Sequence, residues 1–353
     1  MRVGILGTGA IANKHAQAYK NIGFDLVACS NQTEKRGLEF AERWGCEFVP
    51  EYEDLCRYPD LDFIDVCTFP DFRLQPLEIC AGIKRHIQVQ KPIATTLEMA
   101  REMIKVAHQA KIRLNVASQH RFDDSTLFLK RAIPAGRLGK ILQGDAYVKW
   151  YRSEEYYSRP IKGSWQTEGG GALINQAIHQ VDILLYLMGR IAAVQGVWQL
   201  GARHKIQSED VVNGVLEYKS GATGVIQAST AFWPGYTERI EIHGTKGTAI
   251  ISGDQLTAWD VLDDEAANAK DPAPVASNVA SGSSDPMAIS LTSFERQFED
   301  FGEAIRDGRD PVVSGEEGYR ALEVVLGIYS ACRTGERVKL GVNSKVGAES
   351  IKQ

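Results

Sequence analysis

Val3-Gly4-Ile5-Leu6-Gly7-Thr8-Gly9-Ala10-Ile11-Ala12 is the stretch of sequence that decides the fold of the amino-terminal part of the chain. Residues 3–6 form a short apolar run that predicts a buried strand, and glycines follow at once. In this GxGxxG/A pattern the first glycine permits a tight turn, the second lets a pyrophosphate approach the backbone, and the small third residue, Ala12, allows helix and strand to pack closely. The helix that begins there presents unpaired N–H groups and the positive end of its dipole to phosphates. The stretch therefore predicts a dinucleotide-binding site.

Further strand and helix signals alternate after this motif. Apolar runs that predict strands occur at residues 26–29, 46–49, 63–67, 87–89 and 113–117, with helical patterns between them. Thr95 and Glu98 have the spacing of a capping box and predict the start of one of these helices. Alternation with short connections predicts a doubly wound parallel sheet covered on both faces, so residues 1–122 are interpreted as a dinucleotide-binding Rossmann domain.

The pattern changes after about Phe122. A basic helix (125–132), a strand (142–150) and a long helix (172–188) are followed by several strands between residues 193 and 251 that are separated by turn glycines. Such hairpin-like spacing predicts an open, mostly antiparallel sheet. Two helices are expected at about 289–306 and 315–334, a mobile loop at 264–286 and a tail at 342–353. Residues 123–341 are therefore predicted to form a second α/β domain.

Composition excludes several classes of protein. A length of 353 residues suggests about two domains. The net charge is −5 with both signs interspersed, so nothing indicates a nucleic-acid footprint. We expect no membrane span, because no apolar run approaches the roughly 18 residues that a span needs. We also expect no signal peptide, because Met1-Arg2 leads straight into a predicted buried strand. The six cysteines lack metal-binding spacing, which predicts reduced thiols in a cytoplasmic protein and no metal site.

The residues that determine whether NAD or NADP binds are expected at the end of the second predicted strand. NAD-specific sites usually carry Asp or Glu there, about 20 residues after the glycines, whereas this chain has Ser30-Asn31-Gln32. Lys35 and Arg36 follow at the start of the next helix. This favours NADP slightly, although the two cations could equally be solvated helix charges.

Two further segments carry candidate chemistry. Lys91 ends an apolar strand in Gln90-Lys91-Pro92, at the carboxyl edge of the sheet where doubly wound folds bind ligands. Asn175, His179 and Asp182 share one face of the long helix, just after three glycines, and Asp182 could orient the histidine ring. A solvent-facing lysine and a structural histidine are the alternatives.

The chain resembles the glucose–fructose oxidoreductase/inositol dehydrogenase (Gfo/Idh/MocA) family over about residues 2–340. The motifs that carry this resemblance are GTGAIA, FIDVCTFP, QKPIA, GRLGKI, GGGALINQAIHQVD, SEDVVNGVLEYKSGATG, IEIHGTKGT and SGEEGYRALEVVLGIYSACRTGE. The resemblance implies a substrate domain whose open sheet often mediates oligomerisation, so a homodimer or homotetramer is expected. It also implies hydride transfer between a nicotinamide and a ring or carbinol carbon of a sugar, cyclitol or sugar derivative. Lys91 and His179 would flank the reacting hydroxyl.

The predicted binding residues lie at these motifs and just after the strand that enters the second domain. The expected cofactor contacts are Gly7, Thr8, Gly9, Ala10, Ile11, Ser30, Asn31, Lys35, Thr68, Pro70, Gln90, Lys91 and Pro92. The expected substrate contacts are Lys91, Lys149, Arg152, Tyr156, Trp165, Asn175 and His179. Aromatic faces suit a sugar ring and Arg152 can clamp a carboxylate or phosphate, but packing of a domain interface would also explain the aromatic residues.

Three departures from the family pattern bear on the mechanism. Gln90 replaces the usual Glu before the lysine, Asn175 replaces the usual Asp on the catalytic helix, and the histidine often found after the TP motif is replaced around Leu74. An amide can position a hydroxyl but cannot take its proton, so acid–base duty falls on Lys91 and His179, and either could be the base. Two other functions stay open: a glycosidase that uses tightly bound NAD for transient oxidation, and a non-catalytic cofactor-binding sensor.

Overall fold

The computed structural model describes residues 1–159, 161–262 and 290–341, and these residues form two compact units. Unit 1 comprises Met1–Gln119 and Leu291–Tyr319, and unit 2 comprises the described residues of His120–Ser290 and of the chain from Arg320 onward. The first boundary lies close to the predicted one. The structure, however, assigns Leu291–Tyr319 to unit 1, whereas the sequence placed this segment in the second domain. The predicted loop at 264–286 and the tail at 342–353 lie outside the described residues.

Unit 1 contains a six-stranded parallel sheet in the order β3-β2-β1-β4-β5-β6. The strands are β1 (Arg2–Leu6), β2 (Asp25–Ser30), β3 (Glu47–Phe48), β4 (Phe63–Val66), β5 (His86–Val89) and β6 (Leu114–Val116). Nearly every residue of the central strands is buried, as expected for a parallel sheet that is covered on both faces. The strand order reverses between β1 and β4, and nucleotides bind at the carboxyl ends of strands at such a switch point. The predicted Rossmann fold is confirmed.

The helices of unit 1 are mostly those that the sequence predicts. They are α1 (Ala10–Asn21), α2 (Glu34–Trp44), α3 (Tyr52–Arg57), α4 (Leu74–Gly82), α5 (Leu97–Ala110) and α10 (Thr292–Asp307). The capping residue of α5 is Thr96, whose side chain accepts a hydrogen bond from the Met99 amide, so the predicted cap at Thr95 was one residue too early. Phe298 of α10 stacks on Tyr19 of α1 with ring centroids 4.4 Å apart. This aromatic packing explains why the late segment belongs to unit 1.

Unit 2 is built on an eight-stranded mixed sheet in the order β13-β12-β11-β7-β10-β9-β8-β14. The strands are β7 (Ile141–Lys149), β8 (Ile191–Leu200), β9 (Glu209–Tyr218), β10 (Thr223–Ser229), β11 (Arg239–Gly244), β12 (Gly247–Ser252), β13 (Gln255–Val261) and β14 (Val338–Lys339). Only the pair β7 and β10 is parallel among the described strand pairs of this sheet, so the predicted mostly antiparallel sheet is confirmed.

The helices of unit 2 include one local surprise. They are α6 (Asp124–Ala132), α7 (Glu154–Tyr157), α8 (Trp165–Glu168) and α9 (Ile178–Met188); α11 (Gly315–Thr334) begins in unit 1 and continues in unit 2. The predicted helix 172–188 is a π-helical turn at Leu173–Ala177 followed by α9. Such turns are frequent at functional sites. No helix within the described ranges is both long and apolar enough to span a membrane.

Candidate active site

Gly7 has a structural role at the end of β1. Its φ of +91° lies in the left-handed region, and a Cβ at this position would lie 3.1 Å from the carbonyl carbon of Cys67. The Gly7 amide donates to the Ser30 carbonyl at 2.8 Å, which ties the end of β1 to the end of β2. A larger residue at position 7 would be strained by its backbone and crowded by the chain after β4.

Gly9 differs, because nothing in the protein requires a glycine there. It is the residue before α1, its φ is −74°, and a Cβ on it would meet no atom within 4 Å. The first turn of α1 carries no acidic side chain, so its amides and dipole are open to an anion. The empty space beside Gly9 is a cradle that a side chain would fill. This geometry fits the pyrophosphate of a dinucleotide.

The end of β2 holds the residues predicted to contact the adenosine ribose. Ser30 is buried and its hydroxyl donates to the Pro50 carbonyl at 3.2 Å. Asn31 is half-buried, and its side-chain oxygen accepts from the Thr8 amide at 3.2 Å. Lys35 is exposed at the start of α2. Of the three, Asn31 and Lys35 are the ones whose side chains remain accessible.

Lys91 follows β5 and is half-buried, with Gln90 and Pro92 buried on either side of it. The peptide bond between Lys91 and Pro92 is cis. Thr68, after β4, donates its hydroxyl to the Phe72 carbonyl at 3.0 Å. The end of β4 pairs with the end of β5, so the structure brings these two predicted segments to the same edge of the sheet as the glycine loop.

Gln90 points away from the cofactor edge into a buried polar cluster. Its side-chain nitrogen lies 2.7 Å from Nε2 of His15, and Nδ1 of the same ring lies 2.6 Å from the Asp65 carboxylate. Burial alone would raise the pKa of Asp65, but His15 and further hydrogen bonds hold it below its usual value. An amide can either donate to this ring nitrogen or accept from it, whereas an ionised carboxylate can only accept, so a glutamine at position 90 satisfies the imidazole in either tautomer.

In unit 2 a buried carboxylate fixes the start of the π-turn. Glu209 accepts hydrogen bonds from the amides of Gly171 and Leu173, both at 2.8 Å, and from the Tyr329 hydroxyl at 2.7 Å. Burial raises the pKa of Glu209 to about 7, although these hydrogen bonds favour its charged form. A Cβ at Gly171 would lie 1.9 Å from the Glu209 carbonyl oxygen. The glycine therefore allows the close approach on which this anchoring depends.

Asn175, Gln176 and His179 form a polar stripe, a name used below for these three half-buried residues. Ala177 and Ile178 between them are buried. The His120 ring packs edge-on against His179, with ring centroids 5.1 Å apart. The stripe is therefore the half-buried polar part of the segment around the π-turn.

His120 is a residue that the sequence analysis missed. Its Nδ1 lies 2.8 Å from the Asp123 carboxylate. Burial lowers the pKa of His120, but Asp123, with smaller contributions from Glu238 and Asp254, raises it above its usual value. The signal that could have identified it is the spacing of His120 and Asp123 at the entry to α6, three residues apart.

Arg152 and Tyr156 lie next to the polar stripe. The Gln176 side chain donates to the Tyr156 hydroxyl at 3.1 Å and accepts from the Arg152 guanidinium at 3.5 Å. That guanidinium is buried, stacks 4.9 Å from the Trp150 ring centroid and donates to the Tyr151 carbonyl. The structure thus brings Arg152 and Tyr156 to one end of the stripe.

Two predicted substrate residues lie elsewhere in unit 2. Lys149 is exposed beside Tyr147, and strand alternation puts it on the opposite face of β7 from buried Val148. Trp165 packs 5.1 Å from Tyr329 and donates its indole N–H to the Gln207 carbonyl. The structure therefore does not group either residue with Arg152, and the contacts of Trp165 described here are packing within unit 2.

Asp182 is engaged by a buried arginine. Both of its carboxylate oxygens accept from Arg121, at 2.8 and 2.5 Å. The suggestion that Asp182 orients His179 stays a prediction.

Two clusters in the described residues could supply three metal ligands each. They are His15 with Asp65 and Cys67, and Asp145 with Glu241 and His243. Neither cluster contains Lys91 or His179. The first is the buried cluster that holds Gln90, described above.

Models of one family match both parts of the chain. Residues 1–118 match the "Oxidoreductase family, NAD-binding Rossmann fold" model, and residues 126–250 match the "GFO/IDH/MocA C-terminal domain" model.

Individual relatives are similar along nearly their whole length. The chain is 29% identical to a myo-inositol 2-dehydrogenase of Thermotoga maritima, covering 96% of this chain and 98% of that protein. It is 27% identical to an inositol 2-dehydrogenase of Rhizobium meliloti, covering 91% and 94% of the two chains. Among solved structures, the WlbA dehydrogenase of Bordetella pertussis in complex with NADH and UDP-GlcNAcA superposes with a TM-score of 0.86 at 25% identity over 97% of this chain and 98% of that one.

Proposed function

The chain belongs to the Gfo/Idh/MocA family of NAD-binding oxidoreductases, and we propose that it transfers a hydride between a nicotinamide cofactor and a ring or carbinol carbon of a cyclitol, sugar or sugar derivative. The observation that carries this proposal is the polar stripe of Asn175, Gln176 and His179, which is half-buried while the residues between its members are buried. Its amide, amide and imidazole groups suit adjacent hydroxyls of a polyol, since each can both donate and accept a hydrogen bond. The relatives named as inositol dehydrogenases support the same substrate class.

Lys91 and His179 are the proposed acid–base residues. Bound NAD(P)⁺ would supply the hydride acceptor at the carboxyl edge of the unit 1 sheet. Oxidation of a hydroxyl also releases a proton, and a free lysine with a pKa of about 10.4 is a poor acceptor near pH 7. Either Lys91 takes the proton, or it stays charged and stabilises the alkoxide while His179 takes it.

His120 supports an acid–base role for His179. The His120 ring, whose Nδ1 lies 2.8 Å from the Asp123 carboxylate, packs edge-on against the His179 ring and so limits the orientations that His179 can take. Asn175 donates to the Gly170 carbonyl at 3.3 Å and keeps its amide near the start of the stripe. In the proposed mechanism Asn175 positions the substrate and His179 handles the proton.

Arg152 with Tyr156 is proposed to contact a substituent of the substrate. The guanidinium packs over the Trp150 ring, and its planar fork of donors suits recognition of a carboxylate, a phosphate or neighbouring hydroxyls. Gln176 joins this pair to the stripe, so a substrate bound at His179 would extend toward Arg152.

The cofactor preference belongs to the same proposal. No carboxylate stands at the end of β2, and Lys35 is exposed nearby, which supports a slight lean to NADP over NAD. Because Ser30 is buried against Pro50, Asn31 is the better position at which to alter this preference. Asn31→Asp keeps an oxygen for the Thr8 amide and adds a charge that repels a 2′-phosphate, so it should lower the ratio of NADP to NAD affinity.

The proposal also covers the oligomeric state and the cellular location of the protein. We expect a homodimer or homotetramer formed through the open face of the unit 2 sheet, where Val197 is 67% and Val215 45% exposed. We also expect a cytoplasmic protein, in line with the free thiols of its six cysteines.

A substrate screen tests the proposed function. Cyclitols, sugars and sugar acids are incubated with NAD⁺ or NADP⁺, and reduction is followed at 340 nm. At least one cyclitol or sugar should give sustained cofactor reduction. Release of a glycosidic leaving group without net reduction would instead identify the transient-oxidation glycosidase. Cofactor binding with no turnover of any compound would identify a sensor.

A further inference from the structure

Arg73 is a buried cation that the proposed mechanism does not use. It lies immediately before α4, its side chain is only 2% exposed, and it ranks among the largest fully buried side chains in the described part of the chain. Burying a guanidinium is costly unless its donors are satisfied. The partners that satisfy it therefore indicate why it is there.

The Arg73 guanidinium binds three backbone carbonyls at the cofactor edge of the sheet. One terminal nitrogen donates to the carbonyls of both Gln90 and Pro92, and the other donates to the Thr68 carbonyl at 2.8 Å. Gln90 and Pro92 are the two neighbours of Lys91 in the chain. A single side chain thus holds the backbone on both sides of the proposed catalytic lysine and joins it to the loop after β4.

These contacts suit an arginine better than any other residue. The carbonyls lie beyond the ends of β4 and β5, where the strand ladder no longer supplies donors, and buried carbonyls need them. A planar guanidinium presents several donors in a rigid fork, whereas a lysine offers one flexible point charge. Burial lowers the pKa of Arg73 to about 9, opposed by Cys67 and two nearby aspartates, so the side chain is still charged at neutral pH.

We propose that Arg73 is a positioning residue that fixes the direction of the Lys91 side chain by fixing the backbone at Gln90 and Pro92. This inference rests on the proposed function, because it takes Lys91 to be an acid–base residue. Acid–base groups act only within hydrogen-bond reach of the reacting proton. A displacement of about 1 Å caused by a change away from the chemistry can cost about 10²-fold in rate.

Arg85 provides a matched control at the opposite end of the same strand. It is also an arginine that binds backbone carbonyls, donating to Leu61 at 3.2 Å and to Cys56 at 2.6 Å. It directly precedes β5, whereas Lys91 comes after the end of that strand. Arg85→Met therefore removes comparable contacts in the same unit without touching the lysine segment.

The experiment compares Arg73→Met, Arg73→Lys and Arg85→Met with the wild type and with Lys91→Met. Steady-state kinetics give kcat and KM, calorimetry gives the cofactor Kd, and amide hydrogen exchange of the ligand-free protein follows the peptide around residues 89–96. Arg73→Met should lower kcat about tenfold or more with less than about a threefold change in cofactor Kd, and exchange at 89–96 should accelerate. Arg73→Lys, which keeps the buried charge, should recover part of kcat. Arg85→Met should leave kcat and this peptide unchanged.

Each outcome decides the proposal. A wild-type kcat in Arg73→Met, or equal losses in Arg73→Met and Arg85→Met, would overturn the positioning role. If Arg73→Met does not fold, Arg73→Lys carries the test, and a wild-type kcat in that variant would overturn it. If Lys91→Met keeps full turnover, the proposed role of Lys91 fails instead. Unchanged exchange at 89–96 in Arg73→Met would show that the arginine does not hold this segment.

Discussion

Gly9→Val should strongly weaken dinucleotide binding while leaving the protein as stable as the wild type. In the ligand-free protein a Cβ at position 9 meets no atom within 4 Å, and the φ of −74° is one that any residue adopts. The branched side chain would occupy the space beside the first amides of α1. The change therefore acts on the ligand and not on the fold.

The size of the effect follows from the bonds that are lost. Hydrogen bonds to a charged group contribute about 1.5–3 kcal/mol each. Losing two of them between the loop and the pyrophosphate would cost about 3–6 kcal/mol, and each 1.4 kcal/mol is a factor of ten in Kd. The affinity should fall by about 10²- to 10⁴-fold. The free energy of unfolding should change by no more than about 0.5 kcal/mol, as for a surface substitution.

Substitutions at two other glycines, Gly82 and Gly7, serve as controls for Gly9→Val. A Cβ at Gly82, near the end of α4, also meets nothing within 4 Å, so Gly82→Val should change neither stability nor binding. Gly7→Val should unfold at a clearly lower temperature, because its φ is +91° and the chain at Cys67 lies 3.1 Å away. Calorimetric titration with NADH and NADPH measures binding, and thermal unfolding measures stability. Wild-type affinity in Gly9→Val, or a loss of stability as large as that of Gly7→Val, would refute the reasoning.

Four further substitutions test the active site and its anchoring. Lys91→Met and His179→Ala should each lower kcat by at least about 10²-fold with little change in cofactor Kd, and near-normal turnover would remove that residue from the mechanism. Arg152→Ala should raise KM about tenfold or more, because about this much affinity is lost with one charged hydrogen bond. An unaltered KM would show that the substrate does not contact Arg152. Glu209 has its pKa raised from 4.5 to about 7 when folded, so its contribution to stability is complete below pH 4.5 and is lost as pH rises to about 7. A pKa difference of about 2.5 units, at about 1.36 kcal/mol per unit, corresponds to about 3 kcal/mol of unfolding free energy. Glu209→Gln should therefore reduce the fall in unfolding free energy between pH 4.5 and 7. An unchanged pH dependence would show that Glu209 does not cause it.

The sequence predicts the Rossmann part of the fold well because its signals are local. Each strand of that sheet is a short apolar run next to its helix, and the glycine loop at Gly7 and Gly9 marks the first junction. What the sequence misses in unit 1 is a contact between distant segments. The phenylalanines of α10 pack against His15 and Tyr19 of α1, and no local pattern near Phe298 indicates that partner.

The candidate site in unit 2 is predictable in part. The glycines and His179 stand out in the sequence, but the π-turn at Leu173–Ala177 does not, since it depends on how Glu209 holds the amides of that turn. Helical spacing pairs Asn175 with His179, which the structure keeps together in the polar stripe, but it does not anticipate Gln176 beside them or the burial of Asp182. His120 was missed for a similar reason, because its proximity to His179 arises from tertiary packing between two helices.

Strand alternation explains the remaining misplacement. Lys149 was grouped with Arg152 because the two are close in the chain. Neighbouring residues of a strand point to opposite faces, so a group three residues away and beyond the strand end need not share its surroundings. The π-turn and the aromatic cluster around Trp165 depend on tertiary structure, which the local patterns do not encode, whereas the exposed position of Lys149 follows from the alternation of β7.

Transfer of deuterium from substrate to cofactor tests the central claim most directly. A cyclitol or sugar that the screen identifies is labelled with deuterium at the oxidised carbon and incubated with the enzyme and NAD⁺ or NADP⁺, and the reduced cofactor is analysed by mass spectrometry. The account predicts that the reduced nicotinamide carries the deuterium and that Lys91→Met and His179→Ala slow its formation. Reduced cofactor without the label, or labelled substrate recovered with no reduced cofactor released, would contradict it.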